Sequence, residues 1–518
     1  MKYPLIAAGG LLTLLPAVAE AKKAPERPNV LFIAVDDLKP VLGCYGDTYA
    51  HSPNIDALAA VSTLFEHCYC QQAVSAATRA SLLTGVRPDS TKVWDLKTLI
   101  RDKNPDILTM PQYFAQQGYE TAGIGKIYDS RSVDKQQDEV SWSLPYLKAR
   151  SYMDPKYAKS LVNGYQDPDY AAKARVVMKE GRAQGLSGKP LDRYMSQHGL
   201  KPSTECLDLP DDAYQDGGTA KGAIEYLKNM RPKDKPFFLA VGFVKPHLPF
   251  VAPKRYWDLY KREDAPLAQF RLRAEGSPEY GNHNSGELKQ YTDIPAVYEY
   301  SDVTNTVLPD EKQRELIHGY YSAMSYTDAQ IGKVLQALRE EGLSDSTIIV
   351  LWGDHGWHLG DHGLWNKHTD FENATHVPMI IHVPGAAPSR VSQPVEFLDI
   401  FPTLCEATGL KTPRRLDGVS LLKAVRSGKE PGTELAVSQW PGRKNTMGYS
   451  LRTGRYRYTV WVNWNKRVLD ADDVKGEELY DYEADPLEKV NLIDRPGYEK
   501  ASAEMRARWK EYRKKYGL

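Results

Sequence analysis

Three short stretches of this 518-residue chain gather side chains able to do chemistry. The first is Asp36-Asp37, directly after the apolar run at 29–35 (NVLFIAV). Adjacent carboxylates repel each other unless solvent or a cation neutralises them. A solvated turn would satisfy the pair as well as a metal would, so the pair alone decides nothing. The second stretch repeats the arrangement. The run at 347–352 leads straight into Gly353-Asp354-His355, and half of the 12 histidines fall between His355 and His382. Three carboxylates and one histidine form an oxygen-rich set that suits a hard cation, Ca²⁺ or Mg²⁺; zinc recruits more nitrogen and sulfur. Asp36, Asp37, Asp354 and His355 are the candidate metal ligands.

The third stretch is Ser75-Ala76-Ala77-Thr78-Arg79, ahead of a short helical pattern closed by Gly85. At a helix start, free backbone N–H groups and the dipole favour an anion by about 0.3–1 kcal/mol. Arg79, four residues on, projects from the same helical face as Ser75. A nucleophile and a guanidinium beside such a terminus suit transfer of a sulfuryl or phosphoryl group. An N-capping serine followed by a surface arginine would leave the same pattern.

Such residues need a scaffold, and open α/β sheets bind ligands beyond the carboxyl ends of their strands. The runs at 29–35, 119–124, 236–243, 347–352 and 378–383 read as strands. Helical patterns at 54–61, 77–83, 220–230 and 311–341 alternate with them, which predicts a largely parallel sheet between helices. The stretches 129–216 and 253–306 are polar, Tyr-rich and poorly periodic, and read as long functional loops. From about residue 432 the pattern changes to an alternating strand at 451–462 and a closing helix rich in Lys, Arg and Glu. The chain therefore divides into a large unit, 27–431, and a smaller α+β unit, 432–518.

Composition narrows the partners. With 67 Lys+Arg against 67 Asp+Glu the chain has zero formal charge, which argues against a general nucleic-acid or anionic-membrane binder. A local field can still serve a polyanionic substrate. Residues 1–21 carry Lys2, an apolar run at 5–18 and small residues at 17, 19 and 21, the layout of a secretory signal, so export to the periplasm or beyond is expected. No later run approaches the ~18 apolar residues of a membrane span. Five cysteines rule out a disulfide-stapled scaffold at this length. One disulfide stays open, without a readable pairing, and Cys68-Tyr69-Cys70, not a usual zinc spacing, reads as inert buried thiols.

Taken together, these residues resemble the formylglycine sulfatases of the alkaline-phosphatase superfamily, most closely the iduronate-2-sulfatase group. The family motif is Cys or Ser, any residue, Pro, Ser, Arg, then Leu-Thr-Gly; here it reads Ser75-Ala76-Ala77-Thr78-Arg79 with Leu83-Thr84-Gly85. The likeness runs from Asn29 to about Asn491 through VDDL at 35–38, GK at 125–126 and FFLAVGFVKPHLPF at 237–250. It continues with DHGWHLGDHGLWNK at 354–367, THVPMI at 375–380 and ELYDYEADPLEKVNL at 478–492. Ala77 in place of Pro and Thr78 in place of Ser depart from the motif. Asp129 stands where the iduronate group has a histidine after its GK, which bears on substrate identity more than on reaction type.

The resemblance implies an alkaline-phosphatase-like large, mixed and mostly parallel sheet sandwiched by helices, with a C-terminal α+β subdomain holding a short antiparallel sheet. It implies that Ser75 is oxidised to formylglycine (3-oxoalanine), and a serine substrate implies a radical-type bacterial maturation enzyme. Asp36, Asp37, Asp354 and His355 would bind the cation, Ca²⁺ ahead of Mg²⁺. Arg79, Lys126, His247 and Lys367 would hold the sulfate and assist the leaving group, His247 first and Lys367 second as proton donor. A hydrated aldehyde carries two hydroxyls on one carbon: one attacks sulfur to give a covalent sulfo-enzyme, and deprotonation of the other expels sulfate. Arg131, His358, Lys367 and His368 flank the motifs and, with Asp129, are the candidates for reading the sugar. The implied substrate is a sulfated oligosaccharide, with the 2-O-sulfate of a uronic acid foremost. A phosphate or phosphonate ester hydrolase, or an unmatured domain that only binds sulfated glycan, are the rival readings.

Overall fold

Apolar runs without a polar break need burial on both faces, and the strands of this chain are placed accordingly. The structure, a computed structural model, describes residues 27–295 and 308–518. The expected signal at 1–21 and the end of the expected loop at 253–306 lie outside the described residues. The main sheet is built from β1 (Asn29–Val35), β2 (Thr63–Tyr69), β3 (Glu120–Gly125), β4 (Phe237–Phe243), β5 (Thr347–Gly353), β6 (His376–His382), β7 (Ser389–Val391) and β8 (Val395–Glu396). Its spatial order is β7-β2-β6-β5-β1-β4-β3, with β8 also on β2. All neighbours pair in parallel except β6, which runs against both β5 and β2. The fold is thus alkaline-phosphatase-like: a mixed, mostly parallel sheet between helices.

Residues of β1 alternate between two cores. Val30, Phe32 and Ala34 pack on one face with α2 (Ser75–Thr84), which follows α1 (Pro53–Ala59). Leu31, Ile33 and Val35 pack on the other face with the long helix α3 (Asp310–Glu340). Register then places the site. Val35 pairs with both Phe243 and Gly353, and Gly125 with Gly242, so β5, β1, β4 and the edge strand β3 end level with one another. Three of them, β1, β5 and β3, continue by one ladder bond: Asp36 N–H to Phe243 O (3.1 Å), Asp354 N–H to Val35 O (3.1 Å) and Lys126 N–H to Gly242 O (2.8 Å). Gly125, at φ +77°, makes the last of these possible, because a Cβ there would sit 2.0 Å from Gly242 O.

The C-terminal subdomain holds an antiparallel sheet of β9 (Ala436–Pro441), β10 (Thr446–Arg452), β11 (Tyr456–Asn465) and β12 (Val468–Asp481). Helix α4 (Glu499–Tyr516) packs on it through Met505, Trp509 and Tyr512. The expected single strand at 451–462 is a hairpin, β10 turning into β11 at Thr453-Gly454-Arg455. The expected loop at 129–216 contains helices at Pro155–Ser160, Pro168–Ala183 and Lys189–Gln197. They escaped periodicity because they lie mostly on the surface: Pro168–Ala183 buries only Ala171, Ala174 and Gly181. Asp154 and Asp167 cap two of them by accepting from Lys156 N–H and Tyr170 N–H. All five cysteines are free; Cys68 and Cys70 are buried, as expected of that pair, Cys405 is buried too, and Cys206 is exposed.

Candidate active site

Asp36, Asp37, Asp354 and His355 meet at the level strand ends, all four closed to solvent. Asp37 adopts φ +57°, uncommon for a residue with a side chain, and is held there by its N–H, which donates to Asp354 Oδ1 (2.9 Å). Ser75 opens α2. It is not the helix cap: Val74 takes that position, and Ser75 Oγ points into the carboxylate cluster instead. It lies 3.2 Å from Asp36 Oδ1, 3.2 Å from His355 Nε2 and 3.5 Å from Lys126 Nζ. The first helical bond runs from Thr78 N–H to Val74 O (3.1 Å), so the amides of Ser75, Ala76 and Ala77 precede the ladder.

Arg79 is no surface residue. Its guanidinium is fully buried and bridges Asp354 Oδ2 (2.9 Å) and Asp36 Oδ1 (3.1 Å), with Nη1 also donating to Ile127 O (3.0 Å). Thr78, one of the two motif departures, keeps a hydroxyl in use by donating to Asp354 O (2.9 Å). Lys126 Nζ pairs with Asp36 Oδ2 (2.5 Å), while Lys367 Nζ sits 3.2 Å from both oxygens of Asp37. His247 donates Nδ1–H to Leu248 O (2.6 Å), which leaves Nε2 facing Glu287 (3.3 Å) and Asp37 (3.7 Å).

Electrostatics at the site point to a cation. Burial pushes the Asp37 carboxyl well above its ordinary value, and Asp36, Glu287 and Asp354 add to this against the pull of Lys367. For Asp36 burial acts in the same sense, but Lys126, His247 and Arg79 outweigh it and hold the group low. Four carboxylates, Asp36, Asp37, Asp354 and Glu287, face three fixed cations, Arg79, Lys126 and Lys367. A divalent ion would turn the remaining negative charge into a single positive one, matched to a sulfate monoester. Ligand atoms of Asp37, Asp354 and His355, and of Asp36, Asp37 and His247, lie within 4.8 Å of one another. Oxygen donors dominate, so the residues fit a hard divalent cation. His247 is pushed down to about 3 by burial and by Lys367. It is neutral as it stands, with its one ring proton on Nδ1.

A cleft of about 1210 Å³ opens from Asp36, Lys126 and His247 and runs past Asp129, Arg131, Tyr128, Trp142 and Tyr146. Arg131 is clamped by Asp129 through Nε (2.8 Å) and Nη2 (2.6 Å), and this pairing, against burial, holds the Asp129 carboxyl down to about 2. The expectation fails for His358. It is fully buried, its Nε2 meets Thr369 Oγ1 (2.9 Å), and its ring packs among His283, His362 and Phe371, so it reads no sugar. The histidine-rich stretch serves packing there. His368, half-buried, lies against Trp440 at 5.2 Å, beside Lys367 but not on the cleft wall. Glu287 went unread, because it stands in the aperiodic stretch at 253–306 without any local signal.

Level strand ends, a buried carboxylate cluster and a hydroxyl at a helix start define an alkaline-phosphatase-like hydrolase of ester anions. Comparison with known proteins narrows the class. A sulfatase family model matches residues 28–410, and one described as N-sulphoglucosamine sulphohydrolase, C-terminal, matches 360–515. Human iduronate 2-sulfatase is 33% identical, over 93% of this chain and 94% of its own length. The Δ4,5-hexuronate-2-O-sulfatase of Bacteroides thetaiotaomicron is 26% identical, over 95% and 90%. Among solved structures, one in complex with its substrate D-glucosamine-2-N,6-O-disulfate superposes with a TM-score of 0.69 at 21% identity, covering 95% of this chain and 98% of the other. The chain belongs to the sulfatase family and is a sulfuric ester hydrolase.

Proposed function

We propose that this sulfatase removes the 2-O-sulfate of a uronic acid at the end of a glycosaminoglycan or related polysaccharide fragment. The observation that carries the reaction is the placement of Ser75 Oγ, 3.2 Å from both Asp36 and His355 at the start of a buried helix. The names of the human and Bacteroides relatives support the uronate, as does Arg131 on the cleft wall, where a carboxylate next to the sulfate would need a cation. The proposal includes export to the periplasm or beyond, units at 27–431 and 432–518, and maturation by a radical-type enzyme.

Oxidised to formylglycine, residue 75 would supply as its hydrate a nucleophilic hydroxyl and a second hydroxyl for release of sulfate. Asp36, Asp37, Asp354 and His355 would hold Ca²⁺, with Mg²⁺ second, which adds positive charge beside the sulfate oxygens. This chain's own residues do the rest. Arg79 holds Asp36 and Asp354 in place from behind. Lys126 and Lys367, now paired with Asp36 and Asp37, neutralise charge on the sulfate once those carboxylates are committed elsewhere. His247 Nε2 faces the site and, once the ring takes up a second proton, is the first proton donor to the sugar oxygen, with Lys367 Nζ second.

A panel of defined sulfated disaccharides tests the substrate, with mass spectrometry of the residue-75 peptide from protein made in its native host. Cleavage of the 2-O-sulfated uronate and a loss of about two mass units, the two hydrogens removed by oxidation, are expected. Unmodified Ser75 in active protein would overturn the mechanism, and faster turnover of a matched phosphate ester would overturn the reaction. Ser75→Ala should lose turnover while retaining bound Ca²⁺.

A further inference from the structure

Glu287 has no place in the chemistry described so far, yet its carboxylate touches both side chains assigned to the leaving group. Oε2 lies 3.1 Å and Oε1 3.2 Å from Lys367 Nζ, and Oε1 lies 3.3 Å from His247 Nε2. The segment around it is laced to the turn that carries Lys367. Trp365 N–H donates to Ser285 Oγ (3.0 Å), and Leu288 N–H donates to Asn366 Oδ1 (3.2 Å). That turn is strained on both sides of Lys367, with Asn366 at φ +83° and His368 at φ +70°, so it persists only where its surroundings over-determine it.

Resting on the sulfatase reading above, we infer that Glu287 is a positioning residue: its carboxylate aims Lys367 and His247 at the departing ester oxygen. The reason lies in how Asp37 is shared. Asp37 is the other partner of Lys367 and also faces His247. Once Asp37 is committed to a cation, Glu287 is the carboxylate left to fix both donors. In the step it serves, the sulfur–oxygen bond breaks and its electron pair passes to the sugar oxygen. That oxygen takes the proton from Lys367 Nζ, or from His247 Nε2 when that ring has first taken up a second proton, and leaves as a hydroxyl.

A sugar alkoxide is a poor leaving group and depends on that proton, whereas an activated phenolate does not. The test compares wild type, Glu287→Gln, Glu287→Ala and Glu287→Asp on the sulfated disaccharide that wild type cleaves best and on 4-nitrophenyl sulfate. For the Gln and Ala variants, kcat on the disaccharide should fall by about 10²-fold, the low end of general-acid contributions, with KM nearly unchanged. Turnover of the aryl sulfate should stay within about threefold, and Glu287→Asp should recover part of the loss. Equal losses on both esters would mean a merely structural role and overturn the inference. Crystal structures supply a readout independent of activity. In Glu287→Ala the amine of Lys367 and the ring of His247 should leave their wild-type positions, and both staying in place would overturn the inference. Wild type that cleaves no disaccharide would count against the substrate reading alone, since the crystallographic arm still decides Glu287.

Discussion

Arg79 lies wholly out of solvent between Asp36 and Asp354, and that position sets what its loss must do. Removing one partner of a buried ion pair strands the other, at a cost of about 3–5 kcal/mol. Arg79→Ala should therefore lower the thermal midpoint, and Ca²⁺ should restore more of it than it adds to wild type, because the ion replaces the missing charge. Differential scanning calorimetry with and without Ca²⁺ checks this; an equal Ca²⁺ shift in both proteins would place the ion elsewhere. Arg79, Ser75 and the aspartates were legible in the sequence because each sits beside a strong local pattern, a strand end or a helix start. Glu287 was not, because its partners His247 and Lys367 are 40 and 80 residues away in the chain, and neither separation leaves a local trace.

At the level of elements, the fully buried strands were readable as unbroken apolar runs, and their largely parallel pairing followed from the helical patterns between them. β2 escaped because Glu66 and His67 interrupt its apolar run, and both are only half-buried. The pairing of α1 with α3 also leaves no local signal. Asp328 of α3 accepts from Asn54 N–H (3.1 Å) and Ile55 N–H (2.8 Å), capping α1 from 273 residues away. Burial pushes that carboxyl from 3.8 up to about 6. Between those values the folded state binds more protons than the unfolded chain, so this group's contribution to stability falls as pH rises through that window. The fall amounts to about 3 kcal/mol for a shift of that size. Asp328→Asn cannot titrate, so its thermal midpoint relative to wild type should rise from pH 4 to pH 7. A constant offset across that range would refute the account.

Across the whole molecule, the balance of 67 positive and 67 negative residues conceals charges gathered where the two units meet. Arg457 of β11 is buried there. Its guanidinium reaches Glu488 Oε1 (3.0 Å), Asp370 O (2.8 Å), Ser450 Oγ (2.7 Å) and Glu372. Glu372 also binds Arg452 (3.3 Å) and the Tyr69 hydroxyl (2.8 Å), so one carboxylate ties the antiparallel sheet to the main sheet. Asp370 and Glu372 follow Lys367 closely in the chain, so the subdomain braces the segment that delivers a proposed catalytic lysine. The sequence showed a second unit through its change of register, but not this purpose, because the contacts cross 85 residues of chain. Replacing Arg457 by Met keeps the packing volume and removes the charge, which strands Glu488 and leaves Glu372 to Arg452. The expected cost is about 3–5 kcal/mol by chemical denaturation. Adding Glu488→Gln to Arg457→Met should recover part of it by neutralising the stranded carboxylate. An Arg457→Met protein within about 1 kcal/mol of wild type, the range of an exposed ion pair, would show that the network adds nothing to holding the units together.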